Sequence, residues 1–328
     1  MNRRRFFNLL GFFITFSFLA LAVSKIEWHE TILALCRADY RLVAGAVLST
    51  SLSYILRTAR WGWILRPAGS FPFSHLFSPL IIGFAVNNIL PGRLGEFARA
   101  YLISRKESIS GSLAFATVVM ERVLDGLTIV GALALAGIFC PLPLWGHRLA
   151  WASAGFFISA LLFLVVLFFW EDKAMRLARF LTRPLPQRWR RKLLDMLASF
   201  ARGLDVMRSP AILTMVTFFS VVVWGVEAIT YYLAIRAFGI PLTGSRLLWG
   251  SLFLLSVVNL GIMIPAAPGG VGPYQAAAIL ALAAFGVPEE VALSISLVTH
   301  FIQYTVVTGT GLLCLWREGI SLSALVRK

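Results

Sequence analysis

A chain of 328 residues that is 59% hydrophobic and only 14% charged is not an ordinary soluble domain. Its mean hydropathy of +0.81 points to a protein that crosses a membrane several times. The formal net charge of +15 raises nucleic acid as a partner, but the basic residues alternate between successive loops as the positive-inside rule requires, which argues against nucleic acid.

The chain opens on Arg3, Arg4 and Arg5, followed by an apolar run at residues 6–23. No small-x-small cleavage site follows Val23, and Lys25-Ile26-Glu27-Trp28 is a poor substitute. The run is therefore expected to stay as a first membrane helix rather than to leave as a signal peptide. Crossing the bilayer core takes about 20 apolar residues. Runs at 42–56, 112–139, 149–170, 211–236 and 291–316 meet that need, the first of them only if it borrows its ends from Tyr40 and Arg57.

With the N-terminus inside, the inner segments hold Arg57, Arg60 and Arg66, then Arg105 and Lys106, then the basic residues of 173–208 and 317–328. The outer segments hold only Lys25, Arg37, Arg41, Arg148 and Arg246. The expectation is an all-α polytopic protein with about six full spans. It is a single domain over residues 1–328, multi-pass in the cell (inner) membrane, with both termini cytoplasmic. The long inner loop 171–210 sets Leu177, Phe180, Leu193 and Leu197 among Arg and Lys. It reads as a basic amphipathic segment lying on the anionic inner leaflet, or as a topology determinant and nothing more.

Two further apolar regions, residues 76–101 and 247–285, are interrupted by Pro and Gly. In the first, NNILPGRLGEFARAYLISRK places Arg93, Glu96 and Arg99 directly after a membrane-grade run. A full crossing would carry those charges through lipid in too few residues. A re-entrant hairpin fits better, with its break at Leu90-Pro91-Gly92 and a helix from about Leu94. The second region enters from the outer side, breaks between Pro265 and Gly272, and returns from Pro273, a residue pre-organised for the first helical position. Two full spans stay open there.

Non-helical backbone at membrane depth survives only where protein or water satisfies it, and paired breaks in two halves of a chain point to a central substrate site. Each break precedes a helix N-terminus with free N–H groups. The candidate site for a lipid phosphate is thus Arg93, Arg99 and Arg122 together with Gly92, Gly269, Gly270 and Gly272. The competing reading is that Pro and Gly only kink packed helices.

Residues 112–139 carry Glu121, Arg122 and Asp125 within reach of hydrocarbon, with Glu121 and Asp125 on one helix face. An unpaired charge at mid-membrane costs ~2.5–3.5 kcal/mol on insertion scales. Glu96, Glu121 and Asp125 are therefore expected to form an ion network with the three arginines, as a clamp on the hairpin or as a means of holding the arginines ready. Glu227 has Trp224 and Tyr231 on its face. It is either a carrier of protons or a headgroup amine, or a hydrogen-bonded structural acid. His300 forms a polar stripe with Gln303 and Tyr304, and is either a satisfied core histidine or part of the site.

Cys36, Cys140 and Cys314 lack metal-ligand spacing, and a disulfide between Cys36 and Cys140 stays open. With no Ser/His/Asp arrangement and no P-loop lysine, the expectation is no catalytic residue, no metal, no cofactor and no enzyme activity.

Four ordered stretches, RTARWGWILRP, NNILPGRLGEFARAYL, ATVVMERVLDG and PAAPGGVGPYQAAAILALAAFGVP, resemble the flippase-like family named for the transmembrane region of lysylphosphatidylglycerol synthases. The resemblance runs from about Phe6 to Trp316. It implies a helical bundle with re-entrant elements that moves lipids between leaflets. The cytoplasmic acyltransferase-like domain of the bifunctional members is not expected after Lys328. Many relatives in that family carry an acid after the PGGxG turn and an arginine in the last span. Gln275 and His300 stand there in this chain, which points to a branch with a headgroup other than a lysyl lipid. The expected function is translocation of an anionic phospholipid or polyprenyl-phosphate-type lipid. The alternative is a non-transporting partner of an envelope lipid or glycan enzyme. Expected partners are membrane lipids and envelope-biosynthesis membrane proteins.

Overall fold

The computed structural model describes residues 28–90, 93–263 and 268–320. The first apolar run, Pro91, Gly92, residues 264–267 and the basic tail from 321 lie outside the described residues.

Within them the chain is all helical. Twelve α-helices follow in order: α1 (Trp28–Arg37), α2 (Tyr40–Leu65), α3 (Phe73–Ile89), α4 (Gly95–Lys106), α5 (Gly111–Phe139), α6 (Leu144–Phe169), α7 (Glu171–Leu181), α8 (Gln187–Arg202), α9 (Pro210–Ala237), α10 (Gly244–Gly261), α11 (Pro273–Ala283) and α12 (Glu289–Arg317). Short 3-10 turns occupy Asp205–Arg208 and Pro268–Gly270. Five helices are long and apolar enough to span: α2, α5, α6, α9 and α12. Each has 26 to 29 residues, or about 40 Å at the helical rise per residue, more than a bilayer core requires. They coincide with five of the six predicted runs.

One boundary differs in a way that matters. The run read as 42–56 continues as a single helix to Leu65, so Arg57 and Arg60 are not loop charges. They lie inside α2 with 5% and 0% of their surface exposed. A charge stops a hydropathy window, but a helix ends only where its backbone does, here at the turn before Pro67.

Helices α2 and α9 pack along each other antiparallel. The Asp39 amide bonds to the Ala237 carbonyl at 2.8 Å, Ser49 Oγ to the Val226 carbonyl at 2.6 Å, and Arg60 Nη1 to Ser220 Oγ at 3.0 Å. This pairing fixes the relation of the two broken hairpins. Hairpin α3–α4 hangs between the end of α2 and the start of α5, and hairpin α10–α11 between the end of α9 and the start of α12. Because α2 and α9 run oppositely, the hairpins enter from opposite ends of the bundle. Their tips meet: a Cβ on Gly269 would stand 3.3 Å from the Asn88 carbonyl, and Asn88 Nδ2 donates to Thr308 Oγ1 of α12 at 3.0 Å.

The first hairpin closes on Gly95. Its N–H donates to Asn87 Oδ1 at 2.7 Å, and a Cβ there would collide with the Gly83 carbonyl and the Asn87 side chain. Arg93 takes the left-handed backbone, φ 53°, that the reversal needs. At the second break, Gly269, Gly270 and Gly272 have φ of 72°, 70° and 94°, conformations that glycine adopts without a Cβ penalty.

The loop 171–210 folds as α7, α8 and the first 3-10 turn. Its helix α8 packs against α5, where a Cβ on Gly203 would meet Ala116 and the Leu113 carbonyl; Leu204 and Val206 are fully buried, while Leu177, Phe180 and Trp189 remain exposed. Cys36, exposed, and Cys140, buried, are free thiols.

Candidate functional site

Where α2, α4, α5 and α9 converge, four arginines face three carboxylates. Arg99 of α4 holds Glu121 of α5 through two parallel bonds, Nη1 to Oε1 at 3.0 Å and Nη2 to Oε2 at 2.7 Å. Such fork-to-fork pairs are among the strongest polar contacts a protein makes. Arg60 donates to Asp125 Oδ1 at 2.7 Å and lies 3.4 Å from Glu121. Arg122 bridges Glu121 at 2.8 Å and Asp125 at 3.1 Å. Arg57 is held more loosely, 3.8 Å from Asp125 and 3.7 Å from Glu227 of α9.

Aromatic faces line the arginines. The Arg99 guanidinium carbon sits 3.8 Å from the Trp61 ring centre, and that of Arg57 4.6 Å from Trp224. Trp224 also donates from Nε1 to Asp125 Oδ1 at 2.9 Å. Glu227 accepts from Gln303 Nε2 at 2.7 Å, and Gln303 lies 3.4 Å from the Tyr231 hydroxyl. All three acids and Arg60 are effectively removed from water, while 29% of the Arg122 side chain is exposed.

Of the expected network the structure brings together Arg99, Glu121, Arg122 and Asp125, and it joins Glu227 to them through Arg57. It leaves Arg93 apart. That side chain is 47% exposed and, among the described residues, its ion pair is with Glu96, at 3.4 Å. Gly92 lies outside the described residues. Among the described residues no bond links Arg93, Arg99 or Arg122 to Gly269, Gly270 or Gly272.

At each helix start one N–H has a partner within the same hairpin. The Gly95 N–H goes to Asn87, and the Gly272 N–H goes to Gln275 Oε1 at 2.8 Å. Gln275 and His300 staple the second break internally, with His300 Nε2 on the Gly269 carbonyl at 2.9 Å and its ring stacked on Tyr274 at 4.3 Å.

Arg57 and Arg60 are the members that reading the sequence missed. A signal was present: Thr50, Ser53, Arg57 and Arg60 recur at intervals of three and four, the spacing of one helix face, and all four are buried. The crevice between α3, α4 and α5, lined by Gly83, Asn87, Glu96, Arg99 and Arg122, has a volume of about 10 Å³, room for about one water. No group of His, Cys, Asp and Glu among the described residues is arranged to hold a metal ion.

Comparison with known proteins adds an independent line. Residues 8–311 match the family model of the lysylphosphatidylglycerol synthase TM region. A protein named glycosyltransferase AglD from Haloferax volcanii is 27% identical over 340 residues. That match takes in 94% of this chain but 54% of the relative, so the chain spans about half the length of that curated protein. UPF0104 membrane proteins from Methanothermobacter thermautotrophicus and Pyrococcus horikoshii are 28% and 26% identical. These matches take in 88% and 86% of this chain and 89% of each relative. An all-helical membrane bundle with two facing broken hairpins and a family match over most of its length identifies the chain as a member of the lysylphosphatidylglycerol synthase transmembrane-region family.

Proposed function

We propose that this protein moves a phosphate-bearing lipid, an anionic phospholipid or a polyprenyl-phosphate-type lipid, between the leaflets of the cell membrane. The observation that carries the reading is the charge count of the buried cluster: Arg57, Arg60, Arg99 and Arg122 against Glu121, Asp125 and Glu227, an excess of one positive charge that is unchanged when the neighbouring Arg93–Glu96 pair is added. A buried charge needs a partner. A phosphodiester carries one negative charge and takes the bidentate arginine fork as a carboxylate does.

The acids hold the guanidinium groups in place. Arriving phosphate exchanges with a carboxylate on Arg122, the most exposed member, and Arg99 behind it. A crevice with room for about one water cannot admit a phosphate, so hairpin α3–α4 must withdraw from α5 for entry. The two hairpins enter from opposite ends, which gives each leaflet its own door to a shared centre, as in carriers built on discontinuous helices. Glu227, joined to the cluster through Arg57, is the carboxylate placed to couple movement to a proton. This reading gives the chain no enzymatic step, metal or cofactor, and orients both termini toward the cytoplasm.

The relative named a glycosyltransferase favours one second reading, a non-transporting membrane partner that supports a lipid or glycan enzyme. Reconstitution separates the two. In proteoliposomes, wild-type protein should accelerate transbilayer movement of a labelled anionic or polyprenyl phospholipid, and Arg122→Gln should cut the rate at least tenfold while purifying as a monodisperse species. Folded wild-type protein that moves neither lipid would leave the partner reading in place.

A further inference from the structure

Away from the buried cluster, a groove of about 640 Å³ opens between α8 and the start of α5. Its walls are Ser110 and Ser112 on the α5 side, and Arg188, Arg191, Lys192 and Asp195 on the α8 side. Positions 188, 191, 192 and 195 are spaced by three, one and three residues, so they form one face of α8. The face carries three cations against one carboxylate. Opposite it, Ser110 is the N-cap of α5 and its side chain makes no capping bond, so the helix brings unshared N–H groups and a partial positive charge to the same space.

The location defines the occupant. The groove is at the end of a spanning helix, the depth at which lipid headgroups lie. The adjoining face of α8 and the preceding α7 expose Leu177, Phe180, Leu181, Trp189 and Leu193, between 42% and 63% accessible. A helix pair with apolar residues beside a basic face lies in the membrane interface, with its cations among the phosphates. Free phosphate would meet the same cations but would leave that apolar surface in water. We infer that this groove is a headgroup site for an anionic phospholipid of the adjacent leaflet, held by Arg188, Arg191 and Lys192, the Ser110 and Ser112 hydroxyls and the start of α5. It is separate from the central arginine cluster and does not depend on whether the chain transports lipid.

The three basic side chains are exposed and carry none of the bundle's packing, so the triple variant Arg188→Gln/Arg191→Gln/Lys192→Gln should fold. The full chain in detergent would be titrated with phosphatidylglycerol, with phosphatidylcholine and with inorganic phosphate, and retained lipid counted by native mass spectrometry. Wild-type protein should keep one more phosphatidylglycerol than the triple variant, with at least a fivefold weaker apparent affinity in the variant. Phosphatidylcholine should show no such difference. Millimolar inorganic phosphate should fail to displace the retained phosphatidylglycerol. Arg122→Gln should keep this extra lipid, which distinguishes the groove from the central cluster. Equal retention by wild type and triple variant, or displacement by inorganic phosphate at concentrations equal to the lipid, would overturn the assignment.

Discussion

Gln275 Nε2 donates to His300 Nδ1 at 2.9 Å, joining the two positions at which the family resemblance implies an acid and an arginine. The Gly272 N–H must meet the oxygen of the amide, so the amide nitrogen faces His300, and Nδ1 must accept. The imidazole is then the Nε2–H tautomer, with its proton on the Gly269 carbonyl. Gln275 and His300 therefore form a neutral chain at the two positions where the resemblance implies an ion pair. Gln275→Glu or His300→Arg alone should destabilise the purified protein by roughly 1–3 kcal/mol, the cost of a buried polar group left unmatched, and so lower its thermal midpoint. The double variant should recover at least half of the loss. Additive losses would mean that the two positions act independently.

The buried network gives a sharper stability test. Arg60 is fully buried and its charge faces both Asp125 and Glu121. Replacing it with Met strips Asp125 of its closest cation in a dry interior, where losing one partner of a buried pair costs up to about 3–5 kcal/mol. Arg60→Met should therefore reduce folded yield severely. Adding Asp125→Asn should restore part of it, because the abandoned charge outweighs the lost contact. Fluorescence-detected size exclusion of the wild type and the two variants reads this directly.

Backbone approach at the first hairpin predicts a difference between two glycines. At Gly95 an added methyl meets the Gly83 carbonyl, whereas at Gly131 nothing stands within 4 Å. Gly95→Ala should destabilise by about 1–3 kcal/mol, as overpacking does. Gly131→Ala should be neutral or stabilising by up to about 1 kcal/mol, since Ala is the better helix former. The check is the denaturation midpoint of each.

Transport should separate the two arginines that the sequence groups together. Arg122 belongs to the cluster, while Arg93 is half exposed and among the described residues is paired with Glu96. Arg93→Gln should change the flipping rate by no more than about twofold, against a tenfold or greater loss for Arg122→Gln. Glu227→Gln should slow movement yet leave lipid retention intact if it serves only to couple protons. A rate for Arg93→Gln as low as that for Arg122→Gln would move the site to the mouth of the hairpin.

Because α2 and α9 are antiparallel, the segments 107–110 and 183–186 belong to the same face of the bundle, and 141–143 and 239–243 to the other. Reporter fusions at residues 106 and 186 should agree, and should differ from fusions at 143 and 241. A fusion at 106 that matches 143 would turn hairpin α3–α4 into a full crossing.

Apolar run length settled where the described spanning helices lie, because a helix in hydrocarbon must be long and must satisfy its own backbone. The breaks were legible for the complementary reason: Pro and clustered Gly cannot continue a helix, and polar backbone at that depth needs protein around it. The pairing of Arg99 with Glu121 was within reach, since charges inside apolar runs demand partners. What only the tertiary structure decided is which partners. Arg57 and Arg60 looked like loop charges that orient the chain, and they became core residues because carboxylates on α5 and α9, some 60 to 170 positions away, neutralise them there. Arg93 looked like the key cation and stands outside, because its left-handed turn aims it at Glu96. A local pattern fixes how a segment can bury its backbone. Whether a charge can be buried depends on a counter-charge that only the fold brings near.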